Sequence, residues 1–213
     1  MDFNHYILTR FFYPDSYPHL EERFKIFNSF TKPSIEAQTN TDFTWIISIN
    51  PKHKSLFTPF KGIKVEFHTE KVKRFRSGFD SYPFNTLNYL ITSRVDNDDA
   101  LHQDYVKNIQ ELFFQDQTTR VIDGSGYRYR DNKGWTYDRY SSREPSPFST
   151  LISSPGEGDK VCDEQHLHLP RKYNVQFHNK KLWLQNIHSS NARMKPGSEQ
   201  AADVDLTPFN LAL

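Results

Sequence analysis

The apolar positions of this chain change period along its length. His5–Phe11 carries an apolar centre at Tyr6, Ile7 and Leu8 and predicts a first strand. Leu20, Phe24, Phe27 and Phe30 recur near a 3.6 spacing, so Glu21–Phe30 predicts a helix. Thr31-Lys32-Pro33 interrupts it, and proline there suits the first turn of a fresh helix running to about Thr39. Phe43–Asn50 is a mostly apolar run rich in β-branched residues, as in a strand buried on both faces. Ile63–His68 alternates and predicts another strand. A helix is expected around Phe84–Leu90, a strand over Ile91–Val95, and a helix over about Leu101–Gln115 with Tyr105, Ile109, Leu112 and Phe113 on one stripe.

Beyond that the pattern shortens. Thr119–Asp123, Gly126–Arg130, Trp135–Tyr140 and Phe148–Ser154 predict short strands separated by Gly, Asp-Asn and Pro signals. A short helix near Asp163–His168 and two strands, Asn174–Phe177 and Leu182–His188, follow. From Met194 the chain turns polar and small, as in a linker or docking tail. Alternating β and α followed by a β-rich stretch predicts an α/β domain, with a mixed central sheet flanked by helices and a β-rich second half. Its expected extent is residues 1–193, with 194–213 as a tail toward a further domain.

Composition narrows the classes. With 18 Phe and 11 Tyr, the chain can build its core from aromatic packing. Its 27 basic and 26 acidic residues leave a net charge of +1, which argues against a nucleic-acid partner. The lone Cys162 excludes an internal disulfide. The N-terminus has no basic start followed by a long apolar run, and no segment is long enough to span a bilayer. These features set the expectation of a cytoplasmic protein.

The candidate chemistry centres on Arg94-Val95-Asp96-Asn97-Asp98-Asp99, where a strand is expected to end. Ligands of open α/β sheets bind at carboxyl ends of strands. Two carboxylates spaced i, i+2 suit a divalent cation on a diphosphate, or a division between cation and ribose. The competing reading is an acidic turn with Asp98 or Asp99 capping the next helix. An EF-hand is excluded, because Leu101 and Lys107 stand where Gly and Glu are needed. A metal-dependent phosphoesterase would also use Asp96 and Asp98.

Four stretches resemble the rhamnosyltransferase-like group of GT-A glycosyltransferases. They are Phe27–Ser34 with Gln38 and Phe43-Thr44-Trp45, Thr92–Ala100, the aromatic Gly126–Ser154, and Leu182-Trp183-Leu184-Gln185-Asn186-Ile187-His188 with Asn191. The likeness extends to glycosyltransferase domains that begin larger chlorovirus proteins. The resemblance implies a GT-A fold and transfer of a sugar from a nucleoside-diphosphate sugar, UDP-linked by expectation, to a glycan or glycoprotein hydroxyl. For a viral protein it implies the host cytoplasm. It also implies Mn²⁺ or Mg²⁺ held by Asp98, Asp96 and His188, and carboxylate with imidazole favours Mn²⁺.

Around that centre, Thr9, Arg10, Asp96 and Asn97 are candidates for the nucleotide sugar. Arg76, in a basic loop with Lys71, Lys73 and Arg74, is a candidate for its phosphates. The alternative for this loop is a solvated charge run. Asp80 is a candidate for sugar contact. Asp163, beside Glu164, is the candidate base for the acceptor hydroxyl, the alternative being a helix N-terminal charge. His166 and His168 are expected at the surface or behind other ligands. Trp135, Tyr137 and Tyr140 stand among Arg128, Arg130 and Arg139, where they suit sugar stacking, a β-surface core, or a non-catalytic sugar-binding module.

Overall fold

A computed structural model describes residues 2–69, 78–130, 145–188 and 204–212, together with the backbone of two strands at 133–137 and 201–202. Arg76 and its basic loop, Arg139, Tyr140 and Asn191 fall outside the described residues, as do the side chains of Trp135 and Tyr137.

The described residues form ten strands: β1 (Phe3–Phe11), β2 (Thr44–Ile49), β3 (Lys64–His68), β4 (Tyr89–Arg94), β5 (Ala100–Leu101), β6 (Arg120–Arg130), β7 (Lys133–Tyr137), β8 (Thr150–Ser153), β9 (Asn174–Asn186) and β10 (Ala201–Ala202). Its helices are α1 (Leu20–Ser29), α2 (Thr31–Glu36) and α3 (Tyr105–Glu111), with 3₁₀ turns at Pro51–Leu56, His166–Arg171 and Thr207–Phe209. The main sheet runs β10-β7-β6-β8-β4-β1-β2-β3, with β9 pairing both β6 and β5. β3, β2, β1 and β4 are mutually parallel, whereas β8 is antiparallel to β4 and to β6. This is the expected mixed α/β arrangement.

The order 3-2-1-4 places a switch point between β1 and β4. The chain leaves β1 to one side for β2 and returns on the other for β4, and the carboxyl ends of β1 and β4 open onto a crevice there. The Val95 amide donates to the Leu8 carbonyl at 3.2 Å, which fixes the start of the acidic loop against the end of β1.

Aromatic packing fills the core behind this crevice. Phe27 of α1 stacks on Trp45 of β2 with centroids 5.6 Å apart, and Phe11, Phe24 and Phe57 close around it. Trp45, Phe27 and Phe11 are fully buried. Each such side chain contributes about 1.5–3 kcal/mol by leaving water. On the other side Trp183 lies flat on Phe148, 4.5 Å between centroids, and donates to the Gly124 carbonyl.

Several boundaries differ from the sequence expectations. No helix forms at 84–90: the Asn85 side chain accepts from the Leu87 amide in a local turn, and the chain enters β4 at Tyr89. The expected helix from Leu101 starts at Tyr105, because Ala100 and Leu101 pair with β9. The strands expected at 119–123 and 126–130 are one strand, β6, irregular at Gly124–Gly126. Gly126 allows this passage, since a Cβ there would lie 2.1 Å from the Trp183 ring. The last two expected strands are likewise one, β9. The helix expected at Asp163–His168 is a 3₁₀ turn at His166–Arg171. Within the polar C-terminal stretch, Phe209 is fully buried against Ala100 and Leu184, and the Ala212 amide donates to the Ser29 carbonyl. No helix among the described residues is long and apolar enough to cross a membrane.

Candidate functional site

The acidic loop after β4 receives side chains from four distant segments. Asp98 and His188, ninety residues apart in the chain, meet directly: Nε2 of His188 lies 2.9 Å from Oδ2 of Asp98. The carboxylate can accept from this nitrogen in the tautomer that carries its proton there. The same Oδ2 accepts from Nη1 of Arg23 in α1 at 2.7 Å. Both partners of that pair are about nine-tenths buried, with side chains 10% and 11% exposed.

His188 is brought there by β9. Trp183 anchors the strand, and its end is fastened twice more. Oδ1 of Asp99 accepts the Asn186 amide at 2.9 Å, and the Ile187 amide donates to the Tyr129 carbonyl at 2.7 Å. Asp99 is therefore a clamp between loop and strand. The reading of Asp98 or Asp99 as a helix cap does not describe this loop, because β5 follows and α3 begins only at Tyr105. Burial, then the charges of Asp98 and Asp96, push the Asp99 carboxyl well above its usual range.

Asp96 faces another way. Arg94 Nη2 lies 2.9 Å from both of its oxygens, and Arg10 approaches at 3.8 Å. Burial works against the charge of Asp96, but Arg94 and Arg10 outweigh it and hold the carboxyl below its usual range. Of the three residues expected on a metal, the structure thus brings Asp98 and His188 together and gives Asp96 to two guanidiniums. Among the described residues no group of three His, Cys, Asp or Glu side chains is placed to hold a metal ion. The donor set fits a divalent cation in part. One carboxylate and one imidazole converge, and water and substrate oxygens would complete the shell, as is common for cations that work on phosphates.

Beside Asp96 lies a cleft of about 460 Å³, lined by Arg10, Arg94, Cys162, Glu164, Gln165, His166 and Leu167. Two guanidiniums at one wall suit an anionic ligand. Arg10 lines this cleft. Thr9 does not: it is fully buried and accepts from Trp45 Nε1 at 2.9 Å, a core contact. Asn97 is 7% exposed, and its amide donates to the Arg10 carbonyl at 2.6 Å, so it ties the acidic loop to β1.

Asp163 binds its own turn, accepting the Lys160 amide at 2.9 Å and pairing with Lys160 Nζ at 3.1 Å. Burial raises its carboxyl above the usual range, against the pull of Lys160. Its neighbour Glu164 is the carboxylate that lines the cleft. Asp80 is exposed and near enough to Asp163 to be felt electrostatically. His166, expected at the surface or behind other ligands, lines the cleft and lowers the Asp96 carboxyl slightly.

Sequence reasoning missed Arg23 and Tyr13. Arg23 left a signal: it falls at i+3 from Leu20, on the same stripe as Phe24 and Phe27, and a charge on a buried stripe needs a partner. Tyr13 left none; its hydroxyl donates to Asn97 Oδ1 at 3.3 Å and its ring lies 6.0 Å from the Arg23 guanidinium carbon.

The family model described as "Putative rhamnosyl transferase" matches residues 9–199. No curated protein matches the chain. Among solved structures, the crystal structure of S. aureus TarS aligns at 11% identity over 86% of this chain, with a TM-score of 0.46; the chain spans 37% of TarS. A Bacillus anthracis "Putative Glucose-1-Phosphate Thymidylyltransferase" in complex with a sucrose aligns at 11% identity over 85% of this chain and 88% of its own, with a TM-score of 0.42.

Proposed function

The chain belongs to this rhamnosyl transferase family, and from that membership we propose a metal-dependent glycosyltransferase that moves a hexosyl or deoxyhexosyl group from a UDP-sugar to a glycan hydroxyl. The observation that carries the reading is the 2.9 Å meeting of Asp98 and His188, in the loop whose Asp96 pairs with Arg94 and Arg10 of the cleft lining. The resemblance to chlorovirus domains supports a glycoprotein glycan as the acceptor.

In this reading Asp98 and His188 would hold Mn²⁺ or Mg²⁺, which would supply neutralisation of the charge on the departing diphosphate. His188 would serve through Nε2 as the neutral tautomer that carries its proton on Nδ1. Arg10 and Arg94, kept in place by Asp96, face the anionic donor from the cleft wall. The acceptor oxygen attacks C1 of the sugar, the C1–O bond to the diphosphate breaks, and the hydroxyl proton passes to a carboxylate. Glu164, which lines the cleft, is the base we assign, in place of Asp163. Glu164→Gln then lowers turnover by about 10²-fold or more, as removal of a general base does, whereas Asp163→Asn leaves turnover within a few-fold.

Thermal unfolding with nucleotides tests the whole reading. A ligand that binds only the folded state raises the midpoint by mass action. UDP with Mn²⁺ is expected to stabilise the protein more than either alone. No shift with any nucleoside diphosphate or nucleotide sugar, with or without metal, contradicts it.

A further inference from the structure

Arg23 shares the buried side of α1 with Phe27. A guanidinium there keeps its charge, since arginine does not deprotonate in proteins. Its Nη1 donates to Asp98 Oδ2 at 2.7 Å, with the Tyr13 ring alongside. Oδ2 of Asp98, the atom it holds, is also the atom His188 reaches. A cation taking Asp98 and His188 therefore arrives beside a fixed positive charge already seated on the same oxygen. Such a cation binds poorly until further negative charge enters. A diphosphate supplies that charge, and its oxygens match the planar fork of a guanidinium better than a single carboxylate oxygen does.

Resting on the transferase reading above, we propose that Arg23 is a resident counter-ion for Asp98 that keeps the cation site weak until a nucleoside diphosphate binds, when its guanidinium passes from the carboxylate to the diphosphate. Metal and nucleotide then bind in mutual dependence, because each supplies the charge the other needs. Arg23 is a positioning residue in the empty protein and a phosphate contact in the loaded one. If it served only to fasten α1 to the acidic loop, its loss would loosen the loop and weaken cation binding under every condition.

Binding of Mn²⁺, followed by the loss of the free-ion electron paramagnetic resonance signal, separates these roles without turnover. The full chain is titrated with Mn²⁺ alone and with Mn²⁺ plus UDP. For the wild-type chain, UDP is expected to tighten Mn²⁺ by about ten-fold or more, within the usual range of coupling between sites. Arg23→Met is expected to bind Mn²⁺ alone about ten-fold tighter than wild type and to lose most of the UDP enhancement. Equal or weaker binding of Mn²⁺ alone by a folded Arg23→Met overturns the proposal. Should that variant not fold, Arg23→Lys decides: it keeps the charge, so Mn²⁺ alone stays weak, but a point charge lacks the fork, so the UDP enhancement shrinks. An enhancement equal to wild type in Arg23→Lys overturns the proposal. Normal Mn²⁺–UDP binding with no Arg23 effect sinks this inference alone, whereas no Mn²⁺ binding to the wild-type chain with UDP present sinks the transferase reading with it.

Discussion

Asp96 and Asp98 stand two residues apart in one loop and live in different electrostatic worlds. Asp96 is held chiefly by Arg94, two positions back, with Arg10 of β1 approaching at 3.8 Å, and a third of its side chain stays exposed. Asp98 is nearly buried, and its partners come from 75 and 90 residues away. The first carboxylate orients cations that belong to the protein and face a cleft. The second gathers long-range donors, Arg23 and His188, on one oxygen. An i, i+2 acidic pair therefore does not imply shared duty. The chain turns at Asn97–Asp98, where the Asp99 amide donates to the Asp96 carbonyl at 3.4 Å, and the turn sends the two carboxylates to different neighbours.

The contrast breaks most visibly at Asp98. Replacing Asp98 by Ala removes the only carboxylate of the pair that meets His188, and turnover should fall by about 10³-fold, the size of effect expected when metal stabilisation of a leaving group is lost. A loss under ten-fold would remove Asp98 from the reaction. His188→Gln should cost less, about 10²-fold in turnover, because water or a substrate oxygen can fill one vacated position. Excess Mn²⁺ should restore part of that loss and none of the loss in Asp98→Ala. For Asp96→Asn we expect about a ten-fold rise in KM for the donor with kcat changed less, since Arg94 and Arg10 lose the anion that aims them. Stability should fall by about 1 kcal/mol, a modest value because the pair is partly solvated. If instead kcat collapsed with KM unchanged, Asp96 would belong with Asp98.

The opposite end of the same strand pair supplies a control. His5 of β1 is buried; its Nε2 lies 2.9 Å from Ser93 Oγ, and burial lowers its pKa to about 3. The folded protein thus refuses a proton that the unfolded chain accepts near pH 6.5. Stability from this group is intact above pH 6.5 and is lost as pH falls toward about 3, at up to about 1.4 kcal/mol per pH unit. His5→Gln should flatten that slope in urea melts while leaving Mn²⁺–UDP binding unchanged. A change in that binding would show that the two ends of the sheet are coupled.

Much of this was legible in the sequence because the signals were local. The parallel strands β1, β2 and β4 announced themselves as short apolar runs, and the acidic loop lay where β4 had to end. The Trp-x-Gln-x-x-His stretch marked His188 through Trp183, whose stacking on Phe148 then places the strand. What was not legible depended on long-range meetings. Leu101 matched a helical stripe, yet pairing with β9 made it a strand. Thr9 and Arg10 are neighbours, but the pleat sends one into the core against Trp45 and the other to the cleft. Asp163 and Glu164 part for the same kind of reason: the Lys160 amide captures the first, while the second lines the cleft. Arg23 could have been suspected from its place on an apolar stripe, although nothing in the sequence named Asp98 as its partner.

The measurement that bears most directly on the account is calorimetric titration of UDP into the wild-type chain and into Asp98→Asn, each with Mn²⁺ and with a chelator. The account predicts UDP binding by the wild-type chain that requires Mn²⁺ and is lost in Asp98→Asn with the fold intact by circular dichroism. UDP binding of the same strength in all four titrations would contradict it.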